Sequence, residues 1–146
     1  MNHVTATALN KKDKPWEKRL EVFGLKLLRA AGFRSGAFDV YIAPDRVMHE
    51  LNREFRHKDK PTTVLSFGPG EPVPRPDLGR GVRYLVELFV DPGYITRQGE
   101  DVERLFIHSF LHLLGYTHEG GNDRMKMEKK EKWLRSSLDS ISARRK

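Results

Sequence analysis

Apolar residues at Trp16, Leu20, Phe23, Leu27 and Leu28 recur at intervals of three and four, the stripe of an amphipathic helix. Pro15 stands at its first turn, where proline fits, and Ala30-Ala31-Gly32 ends it. Upstream, residues 1–14 carry no periodic pattern and are read as a loose end or a first edge strand. Phe38-Asp39-Val40-Tyr41-Ile42 alternates in the strand manner and Ala43-Pro44 closes it. Asp45 is the expected N-cap of a second helix, Arg46 to about Phe55, with Val47, Leu51 and Phe55 one turn apart on its apolar face. A charged loop follows, Arg56-His57-Lys58-Asp59-Lys60, and feeds a short strand from Val64 to Phe67. Eight of the fourteen residues from 68 to 81 are glycine or proline, so a long connection, possible flap included, is expected rather than a regular element. Arg83 to Val90 is apolar almost throughout and reads as a central strand, after which Asp91-Pro92-Gly93 is expected to turn the chain.

The next helix runs from a cap at Asp101 to about Leu114. It is apolar nearly all round, which predicts burial. It also opens the densest chemistry in the chain. Three of the six histidines fall in eleven residues as His108-x-x-x-His112-x-x-Gly115-x-x-His118. Residues four apart on a helix lie about 40° apart and one turn along the same face. Gly115 can close the helix in a left-handed conformation and carry the chain back, so that His118 faces the other two. Three neutral imidazoles converging on one point, with a fourth position open, is the ligand count of a catalytic zinc. A buried imidazole needs a bonding partner, and a metal meets that need for two at once. The same spacing occurs in metzincin peptidases, where glutamate directly follows the first histidine as general base. Here that position is Ser109, which cannot act as that base. Beyond His118, Asn122 or Asp123 caps a last helix to about Leu138, with Met127, Leu134 and Leu138 toward the core. The tail Ser142 to Lys146 is basic.

Composition narrows this picture. A chain of 146 residues is read as one domain, residues 1–146, large enough to bury a core unaided. The absence of cysteine excludes disulfides and thiolate zinc sites, leaving histidine and carboxylate as metal ligands. No apolar run approaches the about eighteen residues of a membrane span, and the N-terminus lacks a hydrophobic signal region, so a soluble, cytoplasmic protein with no membrane partner is expected. The formal charge of +7 suits a polyanion such as nucleic acid.

Two blocks together resemble the YbeY-type endoribonucleases of bacterial ribosomal RNA maturation. One is Leu51-Asn52 through Phe67, with Arg56, Lys58-Asp59, Pro61-Thr62 and Val64-Leu65-Ser66-Phe67. The other is His108 to His118, continued by Met127-Glu128 and Glu131. The resemblance covers roughly residues 45–134. It implies an α/β class fold: a single small domain with a mixed β-sheet, helices packed on it, and a buried metal-binding helix. It further implies one zinc ion on His108, His112 and His118, with Arg56 as a functional arginine. The implied activity is single-strand-specific RNA cleavage, serving 3′-end formation of small-subunit ribosomal RNA and ribosome quality control. Partners would be single-stranded RNA, ribosomal RNA and the small ribosomal subunit. The chain departs from the family's usual residues at Thr63, Val86-Glu87-Leu88, Ser109 and Thr117. No general base is evident; Glu87 and Glu119 are candidates. Two other classes compete with this one: a metzincin-like metallopeptidase, and a non-catalytic RNA- or ribosome-binding protein with a structural metal.

Overall fold

β-branched and aromatic runs form the sheet, and the three-four stripes form the helices that cover it. The computed structural model describes the backbone of residues 1–67, 83–113, 125–126 and 128–136, and the side chains of these except 83–86 and 113. The described elements follow in the order β1 (His3–Ala8), α1 (Pro15–Ala30), β2 (Gly36–Ile42), α2 (Asp45–Arg56), β3 (Val64–Phe67), β4 (Arg83–Val90), α3 (Pro92–Arg97) and α4 (Val102–Leu113). Residues 128–136 are also helical. The sheet order is β1-β2-β4-β3. β1, β2 and β4 run parallel, and β3 lies antiparallel to β4, so the sheet is mixed as expected and β4 is an inner strand. Residues 1–14 supply an edge strand, the second of the two readings. Among the described residues no helix is long and apolar enough to cross a membrane.

Strand alternation divides the apolar residues between two faces. On one, Phe38, Val40, Ile42, Leu88 and Val90 meet Leu20, Leu27 and Leu28 of α1 and Phe106, Ile107, Phe110 and Leu111 of α4. Phe38 lies between two rings of α4, 5.8 Å from Phe106 and 6.0 Å from Phe110 by centroids. Burying a side chain of this size contributes about 1.5–3 kcal/mol. Gly24 lets α1 come close enough for this: a Cβ there would stand 2.9 Å from both Phe38 Cζ and Val4 Cγ1. On the other face, Leu65, Phe67 and Phe89 pack with Met48, Val47 and Leu51 of α2.

Several expectations change. Asp45 does not cap α2; Pro44 occupies that place, with no side-chain cap bond, and Asp45 turns outward to pair with Arg97. The buried edge of α2 runs through Met48 and Asn52, one position on from the expected stripe, and Phe55 is exposed. The rotation follows from Asn52, whose Nδ2 donates to Lys60 O (2.9 Å) and so must face the returning chain. Asp91-Pro92-Gly93 opens a helix instead of a turn. Asp91 Oδ1 accepts from Tyr94 N (3.0 Å) and Pro92 takes the first-turn place, so the same residues that signal a turn here start α3. α4 is buried on one face only. Val102, Phe106, Ile107, Phe110 and Leu111 are inside, while His112 and Arg104 are exposed and His108 and Ser109 half-buried. The expectation of a helix buried all round is not met at His112, which is exposed, because the sheet takes up only the Phe106–Phe110 side of α4. The connection from 68 to 81, the caps Asn122 and Asp123, the core positions Met127 and Leu138, and the basic tail lie outside the described residues; Leu134 is fully buried, as expected.

Candidate metal centre and basic loop

The helix places His108 and His112 as the spacing requires. Their ring centroids are 5.1 Å apart with the planes at 73°. The aromatic packing of Phe106 and Phe110 on the opposite face fixes the azimuth of α4, and so turns both imidazoles away from the core. His108 Nδ1 lies 2.7 Å from Glu131 Oε1 on the helix 128–136, a pairing across 23 residues of sequence. An ionised carboxylate can only accept, so in the neutral imidazole this bond puts the proton on Nδ1 and the lone pair on Nε2. His118, the third predicted ligand, and Glu119 lie outside the described residues. Among the described residues no group of three or more histidines, cysteines or carboxylates is arranged to hold a metal. The donor set that is described, two neutral nitrogens on one face with a carboxylate behind one of them, is of the borderline kind that suits zinc.

The second block builds a separate feature. α2 ends at His57, which takes the left-handed conformation (φ 59°) and turns the chain. The loop that follows is held at Lys60 O by Asn52 and at Asp59 by His49 Nε2 (2.7 Å). Lys58 and Lys60 therefore stand exposed on a loop tied down at two points. Arg56 is anchored on one side: Nη2 donates to Ser66 O (2.7 Å), Nη1 to Phe55 O (3.1 Å), and the guanidinium lies 4.9 Å from the Phe67 ring centroid. Among the described residues it has no carboxylate partner. α4 also packs against β3, which makes that strand the common neighbour of the histidine helix and the arginine.

Glu87 does not face the histidine helix. It is register partner to Asp39 and Phe67, on the face opposite Leu88 and α4. Its charge, after burial, pushes the Tyr41 hydroxyl above its ordinary pKa. Glu131 stands in the second family block, but no sequence signal pairs it with His108, since a contact across two helices has no periodicity to betray it. Glu131 also lines a cleft of about 150 Å³ with Arg104, Ile107, Lys132 and Arg135. The two arginines of that cleft are paired, Arg104 with Glu100 (2.9 Å) and Arg135 with Asp101 (2.6 Å). The Arg135 bond holds the Asp101 carboxyl below the usual carboxylate range.

A sequence profile of the family described as endoribonuclease YbeY matches residues 8–139. The chain is 36% identical over 137 residues to an endoribonuclease YbeY of Aquifex aeolicus, covering 88% of this chain and 87% of that one. It is 34% identical over 107 residues to the corresponding protein of Rhodopseudomonas palustris, covering 68% of this chain and 55% of that one. With that of Persephonella marina it shares 34% over 102 residues, 64% of each chain.

Proposed function

The chain belongs to the YbeY endoribonuclease family, and from that premise we propose that it cuts single-stranded RNA using a zinc ion held by His108, His112 and His118. The observation that carries the proposal is the His108–His112 pair, presented on the open face of α4 with the Glu131 carboxylate behind His108. When bound there, zinc supplies Lewis acidity that offsets charge on a phosphoryl oxygen and acidifies the attacking group. Everything else falls to the chain's own side chains. Arg56 binds the scissile phosphate with the edge of its guanidinium left over from Ser66 and Phe55, a planar fork that matches two phosphate oxygens. Because those anchors and the Phe67 ring already fix the fork, little rotamer freedom is lost when the phosphate arrives. Lys58 and Lys60 draw the flanking backbone toward it as point charges. Ser109, half-buried beside His108, offers no carboxylate for peptide hydrolysis. The natural substrate under this proposal is the 3′ region of small-subunit ribosomal RNA in the cytoplasm, with ribosome quality control as a wider role.

The test is cleavage of a labelled RNA bearing a single-stranded 3′ extension by the native protein and by His112→Ala. Cutting confined to the single strand and reduced at least a hundredfold in the variant is the expected result. Equal cutting by both would overturn the role of the histidine pair. Stoichiometric zinc binding without cutting of either RNA or ribosomal particles would favour a non-catalytic RNA-binding protein.

A further inference from the structure

We propose that Glu131 is a positioning residue of the metal centre, selecting the tautomer and the ring orientation of His108. The inference rests on the metal reading above. The contact is short, 2.7 Å, and both groups are mostly shielded, with side chains 33% and 21% exposed. A charge-assisted bond in such a place holds its geometry better than one in open water. It fixes three things together: the proton on Nδ1, the lone pair on Nε2, and the rotation of the ring about its side-chain bonds. Ligating imidazoles elsewhere gain basicity from a carboxylate on the distal nitrogen.

The rest of the helix 128–136 serves this placement. Leu134, three residues on from Glu131 and so on the same face, is fully buried in the main core. One turn along, Arg135 binds Asp101 at the start of α4. The pairs Asp101–Arg135 and His108–Glu131 run in opposite senses along the two helices, so the helices are pinned antiparallel at two levels. The second pin matters for interpretation, because it offers a control that loosens the same helix without touching His108.

The competing account makes Glu131 a mere fastener between helices. The two accounts separate on metal affinity measured in folded protein. The experiment is zinc competition against a chromogenic chelator for the native chain, Glu131→Gln, Glu131→Ala and Arg135→Ala, each first checked for native far-UV circular dichroism. Glu131→Ala is expected to weaken zinc binding by about ten- to a hundredfold. Glu131→Gln, whose amide oxygen still accepts from Nδ1 but carries no charge, is expected to fall between it and the native chain. Arg135→Ala is expected to stay within about threefold of native. Native affinity in Glu131→Ala, or equal losses in Arg135→Ala and Glu131→Ala, would overturn the proposal while leaving the metal reading intact. If Glu131→Ala does not fold, the Gln variant decides alone: unchanged affinity overturns the proposal. A native chain that binds no zinc overturns both.

Discussion

The carboxylates of Asp91 and Asp45 meet where β4 ends and α2 begins, and their protonation should be visible in stability. Asp91 is 3% exposed, and its Oδ1 is engaged as the cap of α3 while Oδ2 has no hydrogen-bond partner. Its neighbour Asp45 is another acceptor, so the two can bond only if one holds a proton. Burial, and then the neighbouring Asp45 carboxyl, push the Asp91 carboxyl up to about 7; the Asp91 carboxyl beside it and the Arg97 guanidinium hold Asp45 below its ordinary value. In the unfolded chain both titrate near 3.9. Between pH 4 and 7 the folded protein therefore keeps a proton that the unfolded chain has released, so this pair makes stability fall as pH rises through that window and level off above it. Asp45 acts in the opposite sense: its contribution is present above its unfolded pKa and is lost only as pH falls below that. A displacement of about three units has a ceiling of about 4 kcal/mol. Asp45 and Arg97 are each about half exposed, at 48% and 53%, and the resulting screening reduces the expected effect to the order of 2 kcal/mol. Asp91→Asn keeps the cap acceptor, can donate to Asp45 and does not titrate. Urea denaturation followed by tryptophan fluorescence at pH 4 and pH 8 should give nearly equal stabilities at the lower pH, where the unfolded chain still holds much of its proton. At the higher pH the variant should be more stable by roughly that 2 kcal/mol. Taking the difference between the two proteins cancels the other titrating groups. A variant less stable than native at pH 8, or a difference independent of pH, would refute the shared-proton account.

Gly24→Ala tests the close approach of α1 to the sheet. The added methyl meets Phe38, itself wedged between Phe106 and Phe110, and the overpacking cost of about 1–3 kcal/mol outweighs the helix gain of about 1. The expected result is a Tm lowered by several degrees, and a raised Tm would mean that Phe38 yields easily. Asn52→Ala removes the donor to Lys60 O, a loss of about 1–3 kcal/mol. Limited trypsin digestion should then cut faster after Lys58 than in the native chain, and an unchanged rate would show that His49–Asp59 and the backbone bond from Lys58 N to Asn52 O hold the loop without that donor.

Periodic patterns were legible wherever one face of an element meets the core. The Trp16–Leu28 stripe, the alternation of Phe38 to Ile42 and the apolar run into Val90 all stand where expected, because solvent exclusion acts on each of them locally. β1 was harder, since His-Val-Thr-Ala-Thr-Ala offers few large side chains and gets its place from parallel pairing with β2. The α2 face was misjudged by one position because a polar residue, Asn52, takes the buried place through a hydrogen bond that hydropathy does not register. α3 was missed because an N-cap and proline at the first turn are written with the same residues as a turn. Of the candidate site, the helical geometry of His108 and His112 could be read from their spacing. Arg56 came by resemblance, and nothing in its surroundings foretold that Ser66, Phe55 and Phe67 would hold it. Glu131 could be placed in a motif, yet its bond to His108 depends on how two distant helices dock.

The strand order has a consequence for how the chain comes into being. β1, α1 and β2 are contiguous in the chain and can assemble first, but among the described strands β3 pairs only with β4, and β4 must enter between two strands made before it. Phe38 waits longer still, for Phe106 and Phe110. Up to that point one apolar side of the growing sheet is covered by α1 alone, a form exposed to proteases and to association with its own copies. The histidine helix is thus also the lid of the core. A chain that stops short of it leaves Phe38 uncovered, so closure of the core and presentation of His108 and His112 depend on the same dozen residues.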